Sequence, residues 1–507
     1  VSVLLLKPTN LFEPMNDSHS AHIDLQAAAK QTMLEYGFEP DFPPPVEQQL
    51  ANLNAAPTPI VRTGKIRDLR SLLWSSIDND TSRDLDQIEV VERLASGDTK
   101  VLVGIADVDA FVSKASAIDD HAAKQTTSVY TGVRIFPMLP EELSTGTTSL
   151  LENEDRLSIV VEFVVGRDGE VTASDVYPAV VRNKAQLTYN AVGAWRGGEG
   201  AAPQKVGASP DLQAQLKLQD EVAQALRNER YRHGALNIET IEVRAVVVGQ
   251  QIVDLVKQEK NRATELIEDF MIAANGVIAH MLRDKNVSSI RRVVKTPERW
   301  DRIVELARQQ GGQLPPEPDS KALNEFLIKR KANDPDHFAD LSLAIIKLMG
   351  PGEYVLERPG DPEQGHFGLA IQDYTHSTAP NRRFADLVTQ RLIKEVLANQ
   401  PAPYSDNELA TIAHNCTERE DAARKVEREM SKRIAAVAMS GRIGEKFDAI
   451  VTGVTTKGTF VRVLKPHVEG LLVRGGEGVD VGDKLPVKLV NTNAQRGYID
   501  FAADANT

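Results

Sequence analysis

The 507-residue sequence has one cysteine, Cys416. A single thiol cannot close an internal disulfide or build a cysteine-rich zinc site, so a reducing compartment is expected. Long apolar runs are also missing. The start, VSVLLLKPTN, is apolar for six residues apart from Ser2 and has no basic residue ahead of them, too short for a signal-peptide core. No other segment approaches the ~20 residues of a membrane span. A cytoplasmic protein with no membrane attachment is therefore expected. Positive charge is short as well: 59 Lys and Arg face 72 Asp and Glu, a net charge of −13. That disfavours a nonspecific duplex binder, yet it leaves room for an enzyme that threads one strand through a locally basic channel.

The rest of the composition is that of a globular chain with roughly two to four domains. Residues 1–66 mix a helical pattern with the proline cluster EPDFPPPVEQQL, which predicts a small, mainly helical region. From Asp68 to about Leu187 the chain reads mostly as strand, as in VLVGIADVDAFV and RLSIVVEFVVG. After the loop RGGEGAAPQKVGASP, apolar residues at 212, 216, 218, 222 and 226 trace a helical face, and RATELIEDFMIAANGVIAHMLRDK (262–285) predicts a buried helix. Helices are expected over 299–350 and 386–397, and a long charged one over about 406–440. From Phe447 onward, about five short strands punctuated by glycine predict a small Greek-key barrel.

The segment SSIDNDTSRDLDQIEV places Asp78, Asp80, Asp84 and Asp86 within nine residues. Three readings fit it. An aspartate-rich surface turn is the plainest, because Asp bonds readily to nearby backbone. A calcium loop starting at Asp78 would put Asp80, Ser82, Asp86 and Glu89 at its third, fifth, ninth and twelfth positions, but Arg83 stands where the sharp turn needs glycine. The third is a magnesium site: carboxylates suit hard cations, and two ions ~3.5–4 Å apart can hold an attacking water and a leaving oxygen in line at a phosphodiester. The aspartates alone leave metal-assisted phosphoryl chemistry and simple metal binding both open.

A second constellation, HFGLAIQDYTHSTAPNRRFADLVTQRLI (366–393), carries Tyr374, His376, Arg382 and Arg383 in a proline-punctuated loop entering a helix. Guanidinium groups near a helix N-terminus suit phosphate. Taken with the aspartate cluster, IADVDAFV, RIFPMLPEELS and LIEDFMIAAN, this segment closely resembles the ribonuclease II/ribonuclease R (RNB) family of exoribonucleases, and FVRVLKPHVEGLLV with GYIDFA resembles its S-one-type RNA-binding barrel. The fold implied is α+β: a small helical region (1–66), a mixed-sheet catalytic domain with surrounding helices (67–404), a connecting long helix (405–445) and a C-terminal OB-fold barrel (446–507). The resemblance makes Asp78, Asp84, Asp86 and position 87 the metal site, with Asp86 most directly catalytic, and Arg382 the arginine that steadies the scissile phosphate. Tyr130 matches a base-stacking aromatic, Tyr189 a tyrosine lining the active site, and Glu268 a glutamate near the terminal nucleotide. Tyr374, His376 and Arg383 are expected to meet RNA.

Three departures stand out. D-x-D-D is here D-L-D-Q, so Gln87 supplies an amide in place of a fourth carboxylate; Asp80 is a candidate to compensate. T-S-P-I-R reads T-A-P-N-R at Thr378–Arg382. Relatives carry cold-shock barrels ahead of the catalytic domain, and the proline-broken first 66 residues suggest a short form without them. The implied activity is Mg²⁺-dependent (Mn²⁺ as substitute), hydrolytic 3′-to-5′ degradation of single-stranded RNA with a free 3′ end to nucleoside 5′-monophosphates, needing no obligate protein partner. The alternative is a catalytically impaired paralogue that binds RNA or regulates, supported by Gln87.

Overall fold

The structure, a computed structural model, describes residues 23–55, 65–239, 242–248, 251–258, 260–456 and 458–504. The apolar N-terminal stretch lies outside them. The centre is a seven-stranded mixed sheet in the order Arg67–Asp68, Val171–Arg182, Asp155–Val165, Thr99–Ala106, Gln87–Arg93, Ser75–Asp78, Ala185–Thr188. The four inner pairings are antiparallel and the two outermost are parallel. Val101, Val103 and Ile105 on one strand and Ile159 and Val161 on its neighbour are all buried, as β-branched residues on a covered pleated surface should be. The aspartate segment leaves the sheet at Asp78 and re-enters at Gln87, so it crosses the end of two adjacent strands.

Helices cover this sheet. Arg262–Asp284 starts with a capping box, in which Asn261 and Thr264 satisfy each other's orphan backbone groups, and buries Leu266, Ile267, Phe270, Ala274 and Ile278 along one stripe. Pro210–Arg232 packs against it. The helix Phe384–Leu397 is held differently. Arg391, 0% exposed, donates through Nε to Asp109 at 3.0 Å, through Nη1 to the Tyr404 hydroxyl at 2.7 Å and through Nη2 to the Val112 carbonyl at 2.7 Å, and pairs with Asp119 at 2.8 Å. One turn on, the buried Lys394 reaches Asp107 at 2.8 Å and Asp109 at 3.1 Å. The segment IADVDAFV thus supplies Asp107 and Asp109, which together with Asp119 fix this helix.

The long helix Asp406–Ser440, also opened by a capping box (Ser405, Glu408), runs past the sheet and ends at the barrel. Lys446–Thr455, Gly458–Val463, Val468–Arg474, Tyr498–Ala503 and Lys484–Asn493 close in that order around Phe447, Val461, Val487, Leu489 and Phe501. The described residues ahead of Arg67 form two helices, Leu25–Glu35 and Pro44–Ala55. Residues 299–350 give three helices with a core of their own around Trp300, Leu327 and Phe338. The sequence did not lead us to expect the hairpin Glu242–Val248/Gln251–Gln258, or the pairing of Ser289–Val293 with Glu353–Glu357. The second of these joins strands far apart in the chain, for which no local signal exists.

Breaking a buried charge network by removing one member leaves the others uncompensated. Arg391→Met is expected to lower stability by about 3–5 kcal/mol, read from urea melts; a change within the error of the parent would show that the network does not anchor the helix.

Candidate active site

The aspartate loop is gripped from one side by Ser149. Its Oγ accepts from the Leu85 N–H at 3.0 Å and donates to the Arg83 carbonyl at 2.6 Å, and the Leu150 N–H bonds the Leu85 carbonyl at 2.9 Å. With Leu85 buried, Asp84 and Asp86 take the other side of the extended backbone. Asp78 Oδ1 accepts from the Asn79 N–H and the Ser82 hydroxyl, which turns the loop back on itself. Asp80 faces away: it is exposed and accepts from Asn190 Nδ2 at 2.9 Å.

The opposing loop comes from nearly 300 residues later. Arg382 Nε donates to Asp86 Oδ2 at 3.2 Å, and the Asn381 backbone N–H donates to Asp86 Oδ1 at 3.0 Å. This loop is fastened to the first turn of its helix, where Asp386 accepts from the Ala379 N–H at 2.8 Å and from Arg383 at 2.7 Å. Its backbone also pairs with the chain ahead of Tyr130, Ser128 N–H to the Arg382 carbonyl at 3.0 Å. The Tyr130 hydroxyl then donates to Asp84 Oδ2 at 3.4 Å.

Burial sets the electrostatics. Asp86, 1% exposed, has its pKa pushed up to about 7 by desolvation; Arg382 opposes the shift and the charge of Asp84 adds to it. Asp84 is raised by burial first, with Asp78 adding. Glu89, fully buried on the strand behind, is held well above the carboxylate range by burial and then by Asp78. The phenols of Tyr130 and Tyr189 are raised by burial, and their surrounding carboxylates add to the shift.

Asp78, Asp84, Asp86, Gln87, Tyr130, Tyr189 and Arg382 all line one cavity of about 1850 Å³. Four other expected site residues do not. Tyr374 is buried with its hydroxyl accepting from Asn275 at 3.4 Å. His376 is half-buried and edge-on to Tyr354 and Tyr374, its Nδ1 2.8 Å from the Tyr354 hydroxyl, and its pKa is driven well below the usual range by desolvation and by Arg383 and Arg292. Arg383 is turned to Asp386. These three are therefore turned to protein partners behind the loop and do not line the cavity. Glu268 is exposed and paired with Lys260 at 2.8 Å, close enough for its charge to act on Tyr189 but not on the cavity wall, where Ile267 and Met271 of the same helix stand. The i, i+4 spacing of Ile267 and Met271 on that helix was the available signal. The cavity also takes Arg428 and Lys432 from the long helix and Phe460 and Tyr498 from the barrel; Tyr498 is 58% exposed. Positive charge from Arg428 and Lys432 thus stands on this wall beside the carboxylates of Glu427 and Glu469.

Among the described residues no three His, Cys, Asp or Glu side chains are gathered into a ready-made metal cage. The donor set nonetheless fits a hard cation: oxygen only, anionic, and desolvated so that neighbouring carboxylates raise one another's pKa.

Comparison with known proteins bears on this arrangement. A family model described as the RNB domain matches residues 66–399, and one described as the RNase II-type exonuclease C-terminal S1 domain matches 445–504. Ribonuclease R of Thermotoga maritima is 30% identical over 522 residues, covering 96% of this chain and 71% of that one. Across the ribonuclease R relatives it matches, this chain spans between 56% and 71% of their length. Among solved structures, Mycoplasma genitalium RNase R in complex with ribose-methylated single-stranded RNA has the same fold (TM-score 0.84, 23% identity, 95% of this chain and 78% of that one). So does yeast Ssd1, titled a pseudonuclease (TM-score 0.71, 15% identity, 92% and 57%).

Asp86 keeps its proton to about pH 7 in the fold, against 3.8 for an ordinary aspartate. Between those values the unfolded chain binds fewer protons than the native one, so stability falls as pH rises through this window and the deficit is complete above it. Asp86→Asn removes the deficit. In EDTA the variant is expected to unfold at higher urea than the parent, by a margin that grows from pH 4.5 to 7 and reaches at most about 4 kcal/mol. A margin that does not change with pH would contradict the burial assigned to Asp86.

Proposed function

The chain belongs to the RNB family of exoribonucleases, and from that membership we propose that it hydrolyses single-stranded RNA from the 3′ end, depends on a divalent cation and releases nucleoside 5′-monophosphates. The observation that carries this reading is the meeting of Arg382 with Asp86 in a cavity whose wall also holds Asp78, Asp84 and two tyrosines.

Asp78, Asp84 and Asp86, with the Gln87 amide oxygen, would hold Mg²⁺, or Mn²⁺ in its place. A cation bound there would polarise the terminal phosphodiester and lower the pKa of the attacking water. Arg382 supplies the complementary positive charge. One nitrogen is committed to Asp86, while the guanidinium, 44% exposed, faces the cavity, where its donors meet the charge that builds on the phosphoryl oxygens. Asp86 in turn fixes the arginine's direction before substrate arrives, so no reorganisation is needed at the moment of reaction. Tyr130 and Tyr189 offer flat faces to the last bases. Every base has a π-face, so stacking of this kind tolerates any sequence. Phe460 and Tyr498 extend the same surface onto the barrel, and Arg428 and Lys432 meet backbone phosphates along the way.

RNA binding without cleavage is the rival outcome, and one assay separates the two. With 5′-labelled single-stranded RNA, a stepwise ladder in Mg²⁺ that disappears in EDTA, with nucleoside 5′-monophosphates on thin-layer plates, is expected. Arg382→Ala should lower kcat about 10²–10³-fold, the usual loss for one oxyanion donor, and Asp86→Asn should abolish the ladder. Retarded but uncut RNA would establish the binding protein instead; full activity in Asp86→Asn would remove Asp86 from the reaction.

A further inference from the structure

The short ribbon Val129–Tyr130/Ile135–Phe136 pairs Tyr130 directly with Ile135, and Val129 with Phe136. Side chains alternate across such a ribbon, and here the two faces differ sharply. Val129 and Phe136 are buried in a core with Met33, Phe38, Val426 and Met430. Tyr130 and Ile135 leave the opposite face, 40% and 51% exposed, and both line the cavity that holds Asp86 and Arg382. A ribbon with one face in a core ordinarily turns polar residues toward water. This open face is apolar instead, and Pro137, two residues beyond Ile135, continues it along the same wall.

The ribbon is held close to the reacting groups. The Tyr130 hydroxyl donates to Asp84 at 3.4 Å and its backbone N–H donates to Glu427 at 3.1 Å, so the ring has a fixed place beside the aspartate loop. Directly opposed residues on one face of an antiparallel pair have Cβ atoms about 5 Å apart. Ile135 therefore stands one side chain away from a ring that touches the loop. A single exposed isoleucine on an outer surface, such as Ile443, needs no special account. Two large apolar side chains that are paired, uncovered and part of one cavity wall do need one. We propose that Ile135 is a second base-contacting residue: with the Tyr130 ring it forms one apolar step on which a nucleobase near the 3′ end rests. The proposal deepens the RNA reading above and rests on it. The isoleucine side chain has no donor or acceptor, so it places a base without reading its identity, and the driving force is apolar surface removed from water.

Binding in EDTA tests this apart from cleavage. The anisotropy of a 5′-labelled oligoadenylate reports affinity for the whole chain, and a second oligomer lacks the bases of its last nucleotides. Ile135→Ala is expected to bind the first about five- to tenfold more weakly, the effect of leaving roughly 50 Å² of apolar surface in water, and to bind the abasic oligomer as the parent does. Ile135→Thr keeps the β-branch that suits a strand and should show the same selective loss, whereas Ile135→Val should keep most of the affinity. Ile443→Ala, off the cavity wall, should match the parent on both oligomers. A side chain that only supported the ribbon would weaken the two oligomers alike. Equal losses on both, or parent-like binding of both by Ile135→Ala, overturns the proposal. A parent that binds the oligoadenylate but never cuts it in Mg²⁺ removes the hydrolytic reading alone, and the comparison in EDTA still decides Ile135. A parent that binds neither oligomer removes the RNA reading and the role of Ile135 with it.

Discussion

A carboxylate taken almost wholly out of water is the constraint on which the rest of the site depends. Asp86 keeps one backbone N–H and one guanidinium as partners, both from the loop that ends at Phe384. Desolvation by itself would leave it neutral, and Arg382 is the group that pulls it back toward ionisation. The two segments are thus coupled electrostatically before any ligand arrives. Arg382, itself partly in water, steadies the charge of an Asp86 that is not, and the remaining guanidinium donors point into the cavity.

That coupling works only if both segments are rigid. On one side Ser149, with two bonds from its hydroxyl, and the Leu150 N–H clamp the aspartate loop around Leu85. On the other, the helix carrying the arginine loop is pinned by Arg391 and Lys394 to Asp107, Asp109 and Asp119. Tyr374, His376, Tyr354 and Arg292, the last fastened to Glu420 at 2.7 and 2.9 Å, form the wall behind the loop. Residues that look chemical in the sequence here bond to protein partners, and desolvation with two neighbouring arginines disfavours the charged form of the His376 imidazole.

The legible part of the fold was periodic and local. The helix 262–285 advertises its stripe and its Asn261 cap; the barrel strands advertise their glycines; the aspartates are dense enough to be noticed. Of the site residues expected from the sequence, Asp78, Asp84, Asp86, Gln87, Tyr130, Tyr189 and Arg382 share a cavity wall. What escaped depends on the third dimension. Asp80 sits two residues from Asp78 and looked equivalent to it, yet the turn at Asn79 sends it to solvent. Glu89, the twelfth position of the calcium-loop reading, sits fully buried in the sheet opposite Ser75. Tyr498 and Phe460 join the site because the barrel is brought to the end of a 35-residue helix, which no window of sequence could reveal.

The same logic explains how the arginine loop tolerates T-A-P-N-R. Ala379 has lost a hydroxyl, but its backbone N–H, not its side chain, is the group that Asp386 accepts from, at 2.8 Å. Asn381 introduces a buried amide where an apolar residue is usual, and its Oδ1 accepts from the Thr148 hydroxyl at 2.6 Å. Thr148 directly precedes Ser149, the residue that grips the aspartate loop. The substitution therefore adds a side-chain bond between the same two segments that Asp86 and Arg382 join by charge, and it does so 1% exposed, where a hydrogen bond is least weakened by water. In this chain the geometry around Asp86 is held by backbone donors and by the Thr148–Asn381 contact, while the Asn381 Nδ2 stays buried without a partner.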